Sequence, residues 1–279
     1  MPLLTSTQKR RFARDGFILL RGFYDLRRDI QPIQRAVHVI IGLVIRRHGL
    51  RIRQRPFASN RFDSGYQELI AANRAAGGEV YDAVKQIPAY IRLVADPRHD
   101  RLLSELRRGS APGIAAGGYG IRIDNPREER YRAPWHQEYP AQLRSLDGLV
   151  LWSPLIALTP ELGPVTICVG SHRLGPLPVH TKDPANPDKV GAYGLILQNE
   201  AELVGRFEHA APLPAPGDLL LMDFLTVHAS GFNMSRRSRW SMQMRMFNFR
   251  EPTGMKIGWK GSFAAGVDFR TLHPELCVD

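Results

Sequence analysis

The chain has 279 residues, 43% hydrophobic and 23% charged, a globular composition with material for a sizeable core that excludes disorder along the whole length. Its longest apolar run, residues 36–45, is half the ~20 residues a membrane span needs and carries His38. The net charge of +11 is unevenly held: fourteen of the 38 lysines and arginines but three of the 27 acids fall in residues 1–61, so the remainder is neutral.

In chain order, Ser6-Thr7-Gln8-Lys9 predicts the cap of a short helix to about Arg14. The run from Gly16 to Phe23 lies between glycines and suits a strand. Residues 26–47 carry apolar side chains at helical spacing, with Pro32 in the first turn. Residues 66–75 and 80–109 read as helical, broken near Pro88 and Pro97. Beyond Gly117 the pattern becomes short strands between Pro- and Gly-rich turns: residues 118–124, 148–157, 165–169, 193–198, 218–226 and 240–249. The expectation is one domain over 1–279: a mostly helical part to 116, a sandwich or barrel core over 117–250, and a tail from 251 that folds back.

Two cysteines make no disulfide framework, and Cys168, in an apolar run, reads as a buried small hydrophobe. With Lys9, Arg10 and Arg11 so close to Met1, no secretory signal is read, and a reducing cytoplasm is expected. The basic segment 1–61 suits contact with an anionic surface or an acidic substrate; it equally suits a solvated face paired with acids elsewhere. No zinc-finger spacing or aromatic-interleaved RNA motif points to nucleic acid.

Three pieces carry chemistry. At the end of a strand, His136 and Glu138 of Trp135-His136-Gln137-Glu138-Tyr139 share a face, which is half a metal site. Two histidines and one carboxylate form the triad of non-haem Fe(II) oxygenases. His228 closes the apolar strand that starts at Asp218 and precedes the small residues Ala229-Ser230-Gly231; of the nine histidines it best completes the set. His99, among Arg98, Asp100 and Arg101, reads as exposed. Arg239 lies 11 positions after His228 at the start of the next strand, where a hairpin returns it beside His228 and its guanidinium can take a carboxylate.

These pieces, together with Phe12 to Phe23, Leu162-Gly163-Pro164-Val165, Val169-Gly170-Ser171-His172 and Pro216-Gly217-Asp218, resemble the phytanoyl-CoA dioxygenase family of Fe(II)- and 2-oxoglutarate-dependent oxygenases. The resemblance implies a double-stranded β-helix, a jelly-roll, cupin-like core flanked by helices. It implies His136, Glu138 and His228 as ligands of Fe(II), Arg239 on the far carboxylate of 2-oxoglutarate with Ser230 assisting, and Gln137 and Trp152 flanking that cosubstrate. His172 falls in a family loop and is assigned to structure. The implied reaction consumes O2 and 2-oxoglutarate, releases succinate and CO2, and hydroxylates by default; cyclisation and desaturation use the same centre. The family more often has Asp where Glu138 stands, one methylene shorter. A carboxylate there argues against halogenation.

For the substrate, Arg122 with Asp124 on one strand face, Tyr139 beside the ligand pair, and Phe62 and Tyr66 in a lid are the candidates. Arg122 and Asp124 equally suit a salt-bridged strand face. The basic segment fits an anionic small molecule or a carrier-linked acyl group. The rival readings are a catalytically silent binding protein, a basic amphipathic helix over residues 26–55 lying on lipid, and a zinc hydrolase using the same ligands.

Overall fold

The computed structural model describes residues 2–183, 185, 194–262 and 266–278. The first helix, α1 (Ser6–Asp15), starts one residue earlier than expected: Thr5 is its cap, and Thr5 and Gln8 bond each other's backbone N–H. Gly16, at φ +79°, ends α1 and turns the chain into β1 (Phe17–Leu20); a Cβ there would run into His172 and Thr226. A π turn at Leu26–Ile30, capped by Asp25, leads into α2 (Gln31–Arg47), with Pro32 in its first turn as read from the sequence. The apolar face of α2, with Ile33, Val37, Ile41, Val44 and Ile45, is buried in the core. A helix lying on lipid needs that face free, so that rival reading does not describe this fold.

Four helices follow: α3 (Tyr66–Ala72), α4 (Arg74–Val84), α5 (Pro88–Val94) and α6 (Pro97–Leu106). Asn73 separates the first two by capping α4, and Pro88 and Pro97 each open a helix rather than interrupt one. Phe62 and Tyr66 form no lid. Both are buried and pack edge-on against Trp240, at 5.7 and 4.9 Å between ring centroids. His99 is not exposed: it is fully buried, its Nε2 2.8 Å from the Tyr24 hydroxyl, because α6 turns it inward with Leu102 and Leu103.

The β core comprises β2 (Pro112–Ile114), β3 (Gly120–Asp124), β4 (Gly148–Pro154), β5 (Val165–Cys168), β6 (Val179–His180), β7 (Ile196–Leu197), β8 (His209–Ala210), β9 (Leu219–Asp223), β10 (His228–Ser230) and β11 (Arg239–Asn248). Residue 193, where a strand was expected to begin, lies outside the described residues. The larger antiparallel sheet runs β1-β9-β4-β11-β2, with β3 following β2 along the same edge of β11. The smaller sheet runs β10-β5-β8, and β6 pairs β7. The two sheets are the walls of the expected double-stranded β-helix. The helical part supplies β1 and β2 to the larger wall, so residues 1–116 are woven into the core rather than set before it.

Among the described residues, the later part of the chain adds the short α-helices α7 (Glu138–Gln142), α8 (Glu200–Gly205), α9 (Pro252–Lys256) and α10 (Phe269–Leu272). The tail does fold back: Gly261 bridges Leu143, and Cys277 bridges Val179. Among the described residues, no helix is long and apolar enough to cross a membrane.

Candidate metal centre

The strand expected to end in His228 stops five residues short of it. At Asp223 the side chain accepts from Leu225 N (2.8 Å), and the Thr226 hydroxyl donates to Gly16 O (2.9 Å). The chain thereby crosses from the larger to the smaller wall, and His228 opens β10 against β5. On its other side His228 exchanges both backbone hydrogen bonds with His136, each 3.0 Å, and the two rings lie 4.3 Å apart. Gln137 is extended (φ −98°, ψ 150°), so period-two alternation does bring His136 and Glu138 to one side. Glu138 itself is not on a strand: it opens α7, its N–H donating to Phe224 O at 2.8 Å.

His136 Nδ1 lies 2.7 Å from Pro134 O, and His228 Nδ1 lies 2.9 Å from Thr226 O. A carbonyl can only accept, so each Nδ1 carries the proton and each Nε2 presents its lone pair. Those nitrogens stand 3.9 and 3.7 Å from Glu138 Oε2, and the three donor atoms lie within 4.8 Å of one another. Burial pushes both imidazoles down, His228 to about 4 with His136 adding to the effect, so both are neutral near pH 7. Burial would raise Glu138, but the Arg245 guanidinium, the largest opposing influence, holds the carboxylate low. Its Oε2 is buried without a hydrogen-bond partner among the described residues. An unpartnered anionic oxygen between two unprotonated ring nitrogens is costly as it stands, and it is the donor set of an iron of the two-His, one-carboxylate type.

A cavity of about 90 Å³ adjoins these donors, bordered also by Ser230, Trp152, Arg122, Gln243 and Arg245. Arg239 reaches the neighbourhood without a hairpin, since β10 and β11 belong to different walls. It is fully buried; Nη2 donates to Ser230 Oγ (3.0 Å), and Nε and Nη2 donate to Asp124 Oδ2 (3.2 and 2.8 Å). Its Nη1 has no partner among the described residues. Asp124 also accepts from Arg122 Nε (2.8 Å), so two guanidiniums share one carboxylate. Of the two readings of Arg122, the salt-bridged strand face holds, and its side chain borders the cavity as well.

Two candidates do not come to the centre. The Gln137 amide donates to Gly175 O and Leu225 O and accepts from Leu177 N, all at 2.8 Å, because the alternation that turns its neighbours inward turns it outward. The Tyr139 hydroxyl meets His273 Nε2 at 2.6 Å and anchors the tail. His172 is structural as expected, its Nε2 3.2 Å from Ala13 O. The reading from sequence missed Arg245, whose Nε donates to Glu138 Oε1 at 2.6 Å. Counting by twos from Arg239 along Ser241, Gln243 and Arg245, against Trp240, Met242, Met244 and Met246 on the other face, would have found it.

The fold has solved likenesses. EctD from S. alaskensis with 2-oxoglutarate and 5-hydroxyectoine is 21% identical, with 88% of this chain and 77% of that one covered and a TM-score of 0.56. The carbocyclase SnoK from nogalamycin biosynthesis is 13% identical (88% and 85% covered, TM-score 0.55). The epimerase SnoN, solved with Fe3+, alpha ketoglutarate and nogalamycin RO, is 17% identical (93% and 90%, TM-score 0.54). At such identities the likeness is one of fold. No curated protein matches the chain. The family model for phytanoyl-CoA dioxygenase matches residues 12–241, which takes in His136, Glu138, His228 and Arg239 together, and the chain therefore belongs to that family of iron- and 2-oxoglutarate-dependent oxygenases.

Proposed function

We propose that the chain oxidises a small organic substrate, by default through hydroxylation, at an iron held by His136 Nε2, Glu138 Oε2 and His228 Nε2. The observation that carries this reading is the buried, unpartnered Glu138 Oε2 facing two ring nitrogens whose protons are held on the far side. Bound iron with 2-oxoglutarate and O2 supplies the oxidising chemistry, with succinate and CO2 as coproducts. The chain's own residues do the rest. Pro134 O and Thr226 O fix the tautomers and ring planes. Arg239, with an Nη1 unpartnered among the described residues, and the Ser230 hydroxyl bonded to it would take the far carboxylate of 2-oxoglutarate, and the ion pair to Asp124 would keep the guanidinium from swinging. Trp152, Val150 and Met222 line the cavity and exclude water.

The substrate would enter beside α7. A second cavity of about 360 Å³ shares Ala141 with the first and is bordered by Lys182, Leu195, Phe269 and Arg270. That volume suits a small molecule, free or carrier-linked. Oxidative cyclisation is the second reading, favoured by the likeness in fold to a carbocyclase. Two cysteines without a disulfide are consistent with a reducing cytoplasm.

The test is anaerobic titration of Fe(II) and 2-oxoglutarate, watching the visible metal-to-ligand charge-transfer band. The wild type is expected to form the band and His228→Ala to lose it while staying folded by circular dichroism. No band in iron-loaded wild type, or an unchanged band in His228→Ala, would remove the assignment. Product mass then separates hydroxylation from cyclisation.

A further inference from the structure

We infer that Arg245 is a positioning residue that commits Glu138 to the metal through a single oxygen, compensating for the extra methylene of a glutamate at that place. The inference rests on the reading of the trio as an iron site, and it concerns a residue beyond the family match, which ends at 241.

Arg245 is fixed by three arms. Nε donates to Glu138 Oε1 at 2.6 Å, Nη1 to Gly118 O at 3.0 Å, and Nη2 to Gln243 Oε1 at 3.0 Å. The guanidinium therefore cannot follow the carboxylate; the carboxylate is held to it. A carboxylate with both oxygens open can close on a cation with one atom or two. Here Oε1 is engaged, and Oε2 faces both imidazoles. Glutamate has one torsion more than aspartate, so with no partner on Oε1 it could swing and offer both oxygens. A second oxygen from Glu138 would take a coordination position that 2-oxoglutarate or O2 requires at a three-ligand site. The other cations near the cavity do not supply this restraint, since Arg122 and Arg239 are turned to Asp124.

The alternative role for the same ion pair is plain counter-charge for a buried carboxylate. Bound metal would then take over that duty, and Arg245 would be dispensable in the loaded protein. The two roles are separated by coordination rather than by turnover. In a crystal structure of the wild-type Mn(II) protein, Glu138 is expected with one oxygen on the metal and the other on Arg245; both oxygens on the metal would overturn the inference. In Co(II)-loaded Arg245→Met without 2-oxoglutarate, the visible bands are expected to shift as a second carboxylate oxygen replaces a solvent ligand. Its 2-oxoglutarate dissociation constant should rise by about tenfold or more. Arg245→Lys, which keeps a donor and the charge, should recover much of both. A folded Arg245→Met with the wild-type Co(II) spectrum and 2-oxoglutarate affinity within about twofold would sink the proposal. Should that variant not fold, the wild-type Mn(II) coordination decides alone. Wild type that binds neither Fe(II) nor 2-oxoglutarate would overturn the iron reading itself, a result distinct from normal binding with a two-oxygen Glu138.

Discussion

Arg239 shows how far residue chemistry reaches and where it stops. Its distance from His228 and its guanidinium made it the proposed carboxylate binder, and the fold buries it against Ser230. The carboxylate of Asp124 on its other side was not foreseen as a partner, because Asp124 was read with Arg122 alone. Losing a charge-assisted pair of this kind costs on the order of 2–5 kcal/mol. Arg239→Ala should therefore weaken 2-oxoglutarate by that amount while Fe(II) still binds, as titration of the charge-transfer band would show. Unchanged affinity would pass the role to Arg122, which borders the same cavity. A histidine and a glutamate at a spacing of two are common by chance; the ligands were legible because His136, Glu138, His228 and Arg239 stand in one order with the other family-like stretches. Gln137 and Tyr139 were misread because a neighbour in sequence need not be a neighbour in the site.

At the level of elements, the larger wall was easy to read and the crossing between walls was not. β11 is long and alternates cleanly, and α2 has unbroken helical spacing. The apolar run of residues 219–227, by contrast, continues through the turn that separates β9 from β10, since Phe224 and Val227 are both buried. Hydrophobicity alone cannot show that the chain changes sheets there. The end of the antiparallel β5–β10 pair depends on two glycines pressed together. A Cβ on Gly231 would lie 2.5 Å from Pro164 O and close on the Gly163 backbone. Backbone cannot yield as a flexible side chain does, so Gly231→Ala should cost about 1–3 kcal/mol. Because Ser230 is adjacent, it should also weaken 2-oxoglutarate binding. Urea unfolding and cosubstrate titration measure the two effects, and wild-type stability would contradict the crowding.

Across the whole molecule, the basic segment is in part a paired face: Lys9 meets Glu105, Arg21 meets Asp218, and Arg47 and His48 meet Glu79. Such exposed pairs contribute little to stability. Acid sensitivity comes instead from buried groups. Burial beside Tyr24 pushes His99 down to about 4, although Asp96 pulls the other way. Below pH 6.5 the unfolded chain takes up a proton that the folded His99 refuses, so stability should fall from there to about pH 4. Asp29 adds a lower limb. Burial would raise it, but Arg28 and Arg98 hold it at about 2, so its contribution is full above about pH 4 and fades toward 2. In chelator, the melting-temperature difference between wild type and His99→Gln should shrink as pH drops from 6.5 to 4. A difference independent of pH would place the acid limb elsewhere.

What the sequence by itself determined is whatever short-range rules govern: helices before strands, the caps and proline breaks to within a residue or two, the kind and order of the metal ligands, and the family. The helices, strands and caps follow from residue chemistry and from periodicities of 3.6 and 2, which operate over a few positions; the ligands and the family follow from the resemblance of several motifs in one order along the chain. What the tertiary structure decided is which groups meet across the chain: Arg245 on Glu138 from 107 residues away, Asp124 on Arg239 from 115, Tyr139 on His273 from 134. Such contacts depend on how two walls of a β-helix register against each other. That register is set by the summed packing of many side chains, and no local stretch of sequence encodes it.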